Sequence, residues 1–172
     1  MSHKLVAISP ITIKTRTPMT HHSRFSALLL PFALLASIPV ATAGAQNKAE
    51  KQLHALLASY ETSLNAGDAG RIEQLYTEDG VFMPAGFPTA VGRSAVRGAY
   101  DGVFKNIRIA IHFTVDELKV NGDVAYARTH SAGTSTVVAT GASGPEGNRE
   151  LFIFTRGKDG WKIARYLFNK ES

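Results

Sequence analysis

From residue 46 onward, the apolar positions of the chain fall first into a helical period and then into a strand period. Leu53, Leu56, Leu57, Tyr60 and Leu64 recur at helical spacing, with Lys48, Glu50, Lys51 and Glu61 elsewhere on the wheel. Gly67 supplies a left-handed stop for this helix. Asp68 is placed to cap a second one, whose apolar face would be Ile72, Leu75 and Tyr76. Residues 81–83 read as a short strand ahead of a Pro/Gly loop at 84–88. Ser94 is the expected cap of a third helix, with Val96, Tyr100, Val103 and Phe104 inward.

The rest reads as strand. Ile107, Ile109, Ile111, Phe113 and Val115 alternate with Arg108, Ala110, His112 and Thr114. The phase then slips by one at Asp116-Glu117, which predicts a β-bulge and a bent sheet. Asn121-Gly122 signals a tight hairpin. With that pair as the turn, His112 would face Ser131, His130 would face Phe113, and the two rings would lie on opposite faces. Residues 124–138 form the return strand, 139–148 a Gly/Ala/Ser-rich loop, and 150–156 with 161–170 a second hairpin. Three helices followed by a curved antiparallel sheet define an α+β domain. Such a sheet, closed on one side by helices, predicts a cone-shaped apolar cavity fit for a small ligand.

Residues 1–45 differ in kind. They hold Lys4, Lys14, Arg16 and Arg24 and no acidic residue, and an apolar run at 25–40 leads into Ala43-Gly44-Ala45. This is the pattern of a signal peptide cut near Ala45, with 41–43 as a second cut and Met19 as an alternative start. Pro31 and Pro39 interrupt the run, which argues against a stable membrane anchor after cleavage. The expected location is periplasmic or secreted. The leader also changes the meaning of the charge. The chain has 172 residues with 19 Lys+Arg, 14 Asp+Glu and a net +5. Residues 46–172 carry 15 of those positives and all 14 negatives, so they are nearly neutral. Nucleic acid is not an expected partner of such a domain. With no cysteine, disulfides, thiol nucleophiles and thiolate metal sites are excluded.

No Gly-rich phosphate loop is present. Ser143 lies in a stretch that lacks the last glycine of a nucleophile elbow. His54, His112 and His130 have no spacing that builds a metal site, and no metal or other cofactor is expected.

Tyr60 to Asp68 (YETSLNAGD), Leu75 to Phe82 (LYTEDGVF), Val91 to Arg97 (VGRSAVR) and Gly160 to Arg165 (GWKIAR) together resemble the nuclear transport factor 2-like superfamily. That superfamily includes ketosteroid isomerases and SnoaL-like polyketide cyclases. The last motif is similar to a branch with members called SgcJ/EcaC-type oxidoreductases. The resemblance covers about residues 48–170. It implies a cone fold, homodimers formed by face-to-face sheets, and a set of site residues. Tyr60 stands where the isomerases place a tyrosine on the developing oxyanion, Tyr76 and Tyr100 where its supporting tyrosines occur, and Glu150 where a second oxyanion donor occurs. The isomerase base falls on Pro84, preceded by Met83, and neither moves a proton.

Read from the residues themselves, Tyr60, Tyr76, Tyr100 and Trp161 also suit a core. Glu150 also suits a solvated strand start, and Arg165 either anchors an anionic ligand or faces outward. His112 is the candidate substitute base, and Met83, Phe82 and Phe113 join the candidate pocket wall. Three functions follow as expectations. The first is an exported binding protein for a small apolar molecule. The second is a SnoaL-like isomerase, cyclase, hydratase or oxidoreductase acting on a small apolar or polyketide-like substrate. The third is a homodimeric assembly module.

Overall fold

The structure, a computed structural model, describes residues 40–171, with side chains from Gly44 onward. The basic stretch of the expected leader, Met19 and residues 25–39 of its apolar run lie outside the described residues. Helix α1 spans Val40–Asn65 and so runs through the expected cut near Ala45. Its buried positions, Ala49 to Leu64, all lie beyond that cut. Gly67, at φ +68°, ends the turn after α1. The Asp68 side chain then accepts from the Arg71 N–H at 2.9 Å and caps α2, Ala69–Leu75. Among the described residues, no helix is long and apolar enough to cross a membrane.

Six strands form one curved, open sheet in the order β2-β1-β6-β5-β4-β3. They are β1 Tyr76–Met83, β2 Ala90–Val91, β3 Ile107–Asn121, β4 Val124–Val137, β5 Ser143–Gly157 and β6 Gly160–Lys170. Helix α3, Arg93–Asn106, separates β2 from β3. The α+β class and the three helices are as the sequence pattern implies. The sheet is mixed rather than wholly antiparallel, because β1 runs parallel to β6. No hairpin joins these two strands, so no turn imposes an antiparallel pairing.

Other local differences have identifiable causes. Tyr76 is extended and opens β1 opposite Ile163 instead of ending α2. Gly92, at φ +86°, makes the sharp entry into α3, so Ser94 lies inside the helix and does not cap it. Residues 143–148 are strand, since β4 pairs with them throughout and β6 joins at Asn148. Their Gly, Ser and Pro content conceals this, because continuous pairing with β4 outweighs weak strand propensity.

The bulge occurs where the phase slips, between Val115 and Glu117. The hairpin loop is Gly122-Asp123, however, because Asn121 pairs with Val124 and only Gly122 takes a positive φ. Together with the bulge, this moves the register: Phe113 faces Ser131, His112 faces Ala132 and Thr114 faces His130. Both histidine rings therefore lie on the outer face of the sheet.

Helix α1 also covers the outer edge of β3. The Asn65 amide donates to the Ile111 carbonyl at 2.8 Å and accepts from the Ile111 N–H at 2.9 Å, while Glu61 accepts from the Phe113 N–H at 2.8 Å. These side chains occupy backbone groups that another chain would otherwise pair with.

Candidate functional site

The inner face of the sheet and the helices enclose a cavity of about 280 Å³ at one end of the core. Alternation along β3 sends Ile107, Ile109 and Ile111 to its wall. Helix α1 adds Tyr60 and Leu64, and α3 adds Tyr100 and Val103. Phe82 of β1, followed by Pro84, Ala85 and Phe87 of the next loop, forms another side. Strands β5 and β6 supply Glu146 and Asn148, then Tyr166, Phe168 and Lys170. A wider groove of about 640 Å³ lies between α3 and the 84–90 loop and shares Phe82, Pro84, Phe87, Val103 and Ile107 with the cavity. None of the residues lining that groove titrates.

The phenols of the site form a chain. The hydroxyls of Tyr60 and Tyr100 are 2.6 Å apart, and that of Tyr76 lies 3.3 Å from Tyr100. Phe82 stacks between Tyr100 and Tyr166, at 4.7 and 5.4 Å between ring centroids. Burial pushes the phenols of Tyr60, Tyr76, Tyr100 and Tyr166 above their ordinary range. All four thus stay neutral at physiological pH and can donate hydrogen bonds.

Glu150 is buried on the same inner face, 3% exposed. Its carboxylate oxygens accept from the Thr129 hydroxyl at 2.6 Å and the Ser131 hydroxyl at 2.5 Å. Burial raises its pKa, with the two hydroxyls opposing that rise. Asn148 donates a long, 3.4 Å bond to Ser131, which links this carboxylate to the cavity wall.

The residues singled out from sequence separate into groups. Tyr60, Phe82 and Tyr100 are on the cavity, and Tyr76 stands behind Tyr100. Glu150 is neither a strand start nor solvated; it sits mid-strand, reached from the cavity through Ser131 and Asn148. Phe113 packs in the core against Tyr60 and Phe152. Trp161 is buried too, away from the cavity, with the Arg156 guanidinium 5.4 Å from its ring.

His112 requires correction, because it alternates with the inward Ile111 and Phe113 and so points outward. Its side chain is 79% exposed and its Nδ1 meets Glu61 at 3.1 Å, so it does not join Tyr60 and Glu150. Met83 alternates with the inward Phe82 and leaves the wall to Pro84. Arg165 faces outward and holds Asp79, 3.3 Å from a carboxylate oxygen and 3.2 Å from the carbonyl. Among the described residues, no three His, Asp or Glu side chains gather as metal ligands.

Sequence reasoning passed over Glu146, Asn148, Phe168 and Lys170. Residues 146, 148 and 150 alternate inward once 143–148 is read as strand, but the glycines hid that period.

Helices backing a curved, open sheet, with an apolar cavity walled by tyrosines, define the class of cone-shaped α+β domains. The chain belongs to the SnoaL-like domain family, whose model matches residues 56–166. It is 33% identical to a ketosteroid isomerase-like protein from Erwinia carotovora atroseptica, with a TM-score of 0.66, covering 69% of this chain and 93% of that one. A nuclear transport factor 2-like superfamily protein from Salmonella enterica shares the fold at 16% identity and a TM-score of 0.66, covering 73% of this chain and 93% of that one. So does a protein from Streptomyces avermitilis named as a candidate dehydratase of the same family, at 17% identity and a TM-score of 0.63, covering 73% and 99%. No curated protein matches the chain.

Proposed function

We propose that this domain is exported and binds a small, largely apolar molecule in its interior. One observation carries the reading. A cavity of about 280 Å³ has a mainly apolar wall that includes Pro84, the position to which the family resemblance assigns the isomerases' base. The volume is roughly twice that of a cavity of about 150 Å³ that takes up benzene, which fits a ligand of one or two rings.

A thermal-shift and native mass spectrometry screen of small aromatic and alicyclic compounds tests this. A ligand present at a hundred times its Kd stabilises by about 2.7 kcal/mol, a shift of several degrees. A screen in which no compound shifts the melting temperature contradicts the reading. Export is tested by N-terminal sequencing of the protein recovered outside the cytoplasm. The expected first residue is Gln46, and a chain that keeps its leader contradicts export.

A second reading, an enzyme, has one observation in its favour. The Tyr60 and Tyr100 hydroxyls, 2.6 Å apart in the residues of the cavity wall, form a relay in which one phenol donates to the other, leaving one proton for a developing oxyanion. Glu146 is the carboxylate among the cavity-lining residues, so a proton acceptor in that reading is Glu146, not His112. Cyclic enones incubated with the protein in heavy water separate the two readings. Deuteration at the α-carbon that depends on Tyr60 favours the enzyme, and none favours binding alone.

A further inference from the structure

We infer that the ligand carries a flexible alkyl chain, which leaves the cavity past Val103 and lies in the groove between α3 and the 84–90 loop. The inference rests on the binding reading above and names the shape and chemistry of what is bound.

The cavity of about 280 Å³ and the groove of about 640 Å³ share Phe82, Pro84, Phe87, Val103 and Ile107. Of these five only Phe82 is buried, and Phe87 is 73% exposed, so the boundary between the two spaces is not packed shut. An exposed ring at the rim of an apolar groove is surface that gains by being covered. No residue lining the groove titrates, so a charged tail would lose its water there with no counter-charge to meet. A run of methylenes is the chemistry that such a wall accepts.

The two spaces lie on different sides of α3. Tyr100 faces the cavity, while Gly98 and Gly102 line the groove. At about 100° per residue, each glycine stands about 160° around the helix from Tyr100, and Val103, common to both walls, about 60° from it. A ligand that fills both spaces must therefore bend around the helix at Val103. Fused rings do not bend in this way, and an alkyl chain does.

The floor of the groove is kept open by residues that α3 does not otherwise need. Gly98 and Gly102 lack a positive φ, and a Cβ at either would meet nothing of the surrounding fold within 4 Å. Glycine weakens a helix interior relative to alanine, and here neither close packing nor backbone geometry requires it. What the two glycines provide is room, one turn apart, beside the loop that carries Phe87.

Titration calorimetry on the full chain with 4-ethylphenol and 4-heptylphenol tests the inference. Both carry the same ring, and only the heptyl chain is long enough to reach the groove. In the unmodified protein heptylphenol is expected to bind at least ~30-fold more tightly, about half the full gain of burying five methylenes. Gly102→Leu, which fills the groove and is no part of the cavity wall, is expected to lower that ratio about tenfold. Its side chain enters open space, so the fold is expected to hold, and Gly98→Leu repeats the test one turn away. A ratio near one in the unmodified protein, or a ratio unchanged in both variants, overturns the inference and leaves the binding reading standing. So does a groove covered by a second copy of the chain: light scattering would then show a dimer that Gly102→Leu dissociates, with the ratio unchanged. Failure of both phenols to bind the unmodified protein overturns the binding reading and this inference with it.

Discussion

One face of one sheet has two different ends, built from the same two strands. Toward one end, Phe152 of β5 is fully buried, stacked on Tyr166 at 4.1 Å and on Phe154 at 5.8 Å. Toward the other, Asn148 and Glu146 of β5 and Phe168 and Lys170 of β6 line a cavity. The apolar pattern does not stop at the boundary, since Ile107, Ile109 and Ile111 continue it along β3. What stops is the covering helix. Tyr60 caps Phe152 and Tyr166 at 5.5 Å each, Leu64 one turn later reaches the cavity, and α1 ends at Asn65. The space therefore follows from helix length and from the Gly67 stop, not from a change in the sheet.

The sharpest break of this comparison is a pair of truncations. Phe152→Ala is expected to cost about 3–5 kcal/mol, as a fully buried ring surrounded by others. Phe168→Ala, half-buried at the cavity, is expected to cost about 1 kcal/mol. Urea denaturation measures both, and equal losses would remove the distinction between a packed and an open end. Next in size is the edge of β3. Glu61→Ala leaves the Phe113 N–H without its partner and is expected to cost about 1–3 kcal/mol. His112→Ala should stay within about 0.5 kcal/mol and leave ligand uptake intact. A loss of binding in that variant would restore His112 to the site.

Glu150 gives a pH signature peculiar to the polar stretch between the two ends. Its carboxyl is raised above the ordinary 4.5, so the folded chain holds this proton to higher pH than the unfolded chain does. Its contribution to stability is then present below about 4.5 and lost as pH rises through the folded value. Glu150→Gln should lack that fall, read as the stability difference between the two proteins from pH 4 to neutrality in ~0.5-unit steps. A difference independent of pH would contradict the burial of an ionisable carboxyl. A further modest effect is expected at the packed end. Trp161 Nε1 is buried without a partner among the described residues. Trp161→Phe removes that unmet donor and should change stability by less than about 1.5 kcal/mol, checked by thermal melts. A larger loss would mean that the N–H is satisfied.

The helices, their inward residues and the bulge were legible because each rests on local periodicity. Leu53, Tyr60 and Tyr100 needed only a 3.6-residue repeat, and the slip at Asp116 needed only a 2-residue one. The parallel pairing of β1 with β6 was not legible, since it joins distant segments with no turn between them. His112 lies outward by its own alternation with Ile111 and Phe113; what the pattern did not convey is that the one-residue bulge brings His130 to the same outer face, since moving the turn by one position alone keeps every residue on its face. Asn148 was missed because a strand paired with β4 along its whole length tolerates Gly144, Pro145 and Gly147 ahead of it, residues that read locally as loop. Glu150 was singled out by resemblance, while its partners Thr129 and Ser131 emerged only from the cross-strand register.

The most direct measurement is a crystal structure of the protein grown with naphthalene. The expected result is two-ring density bounded by Leu64, Tyr100, Ile109 and Phe168, with the surrounding side chains in place. An interior filled by Phe168 and the 84–88 loop, with no room for the compound, would contradict a cavity built to hold a ligand.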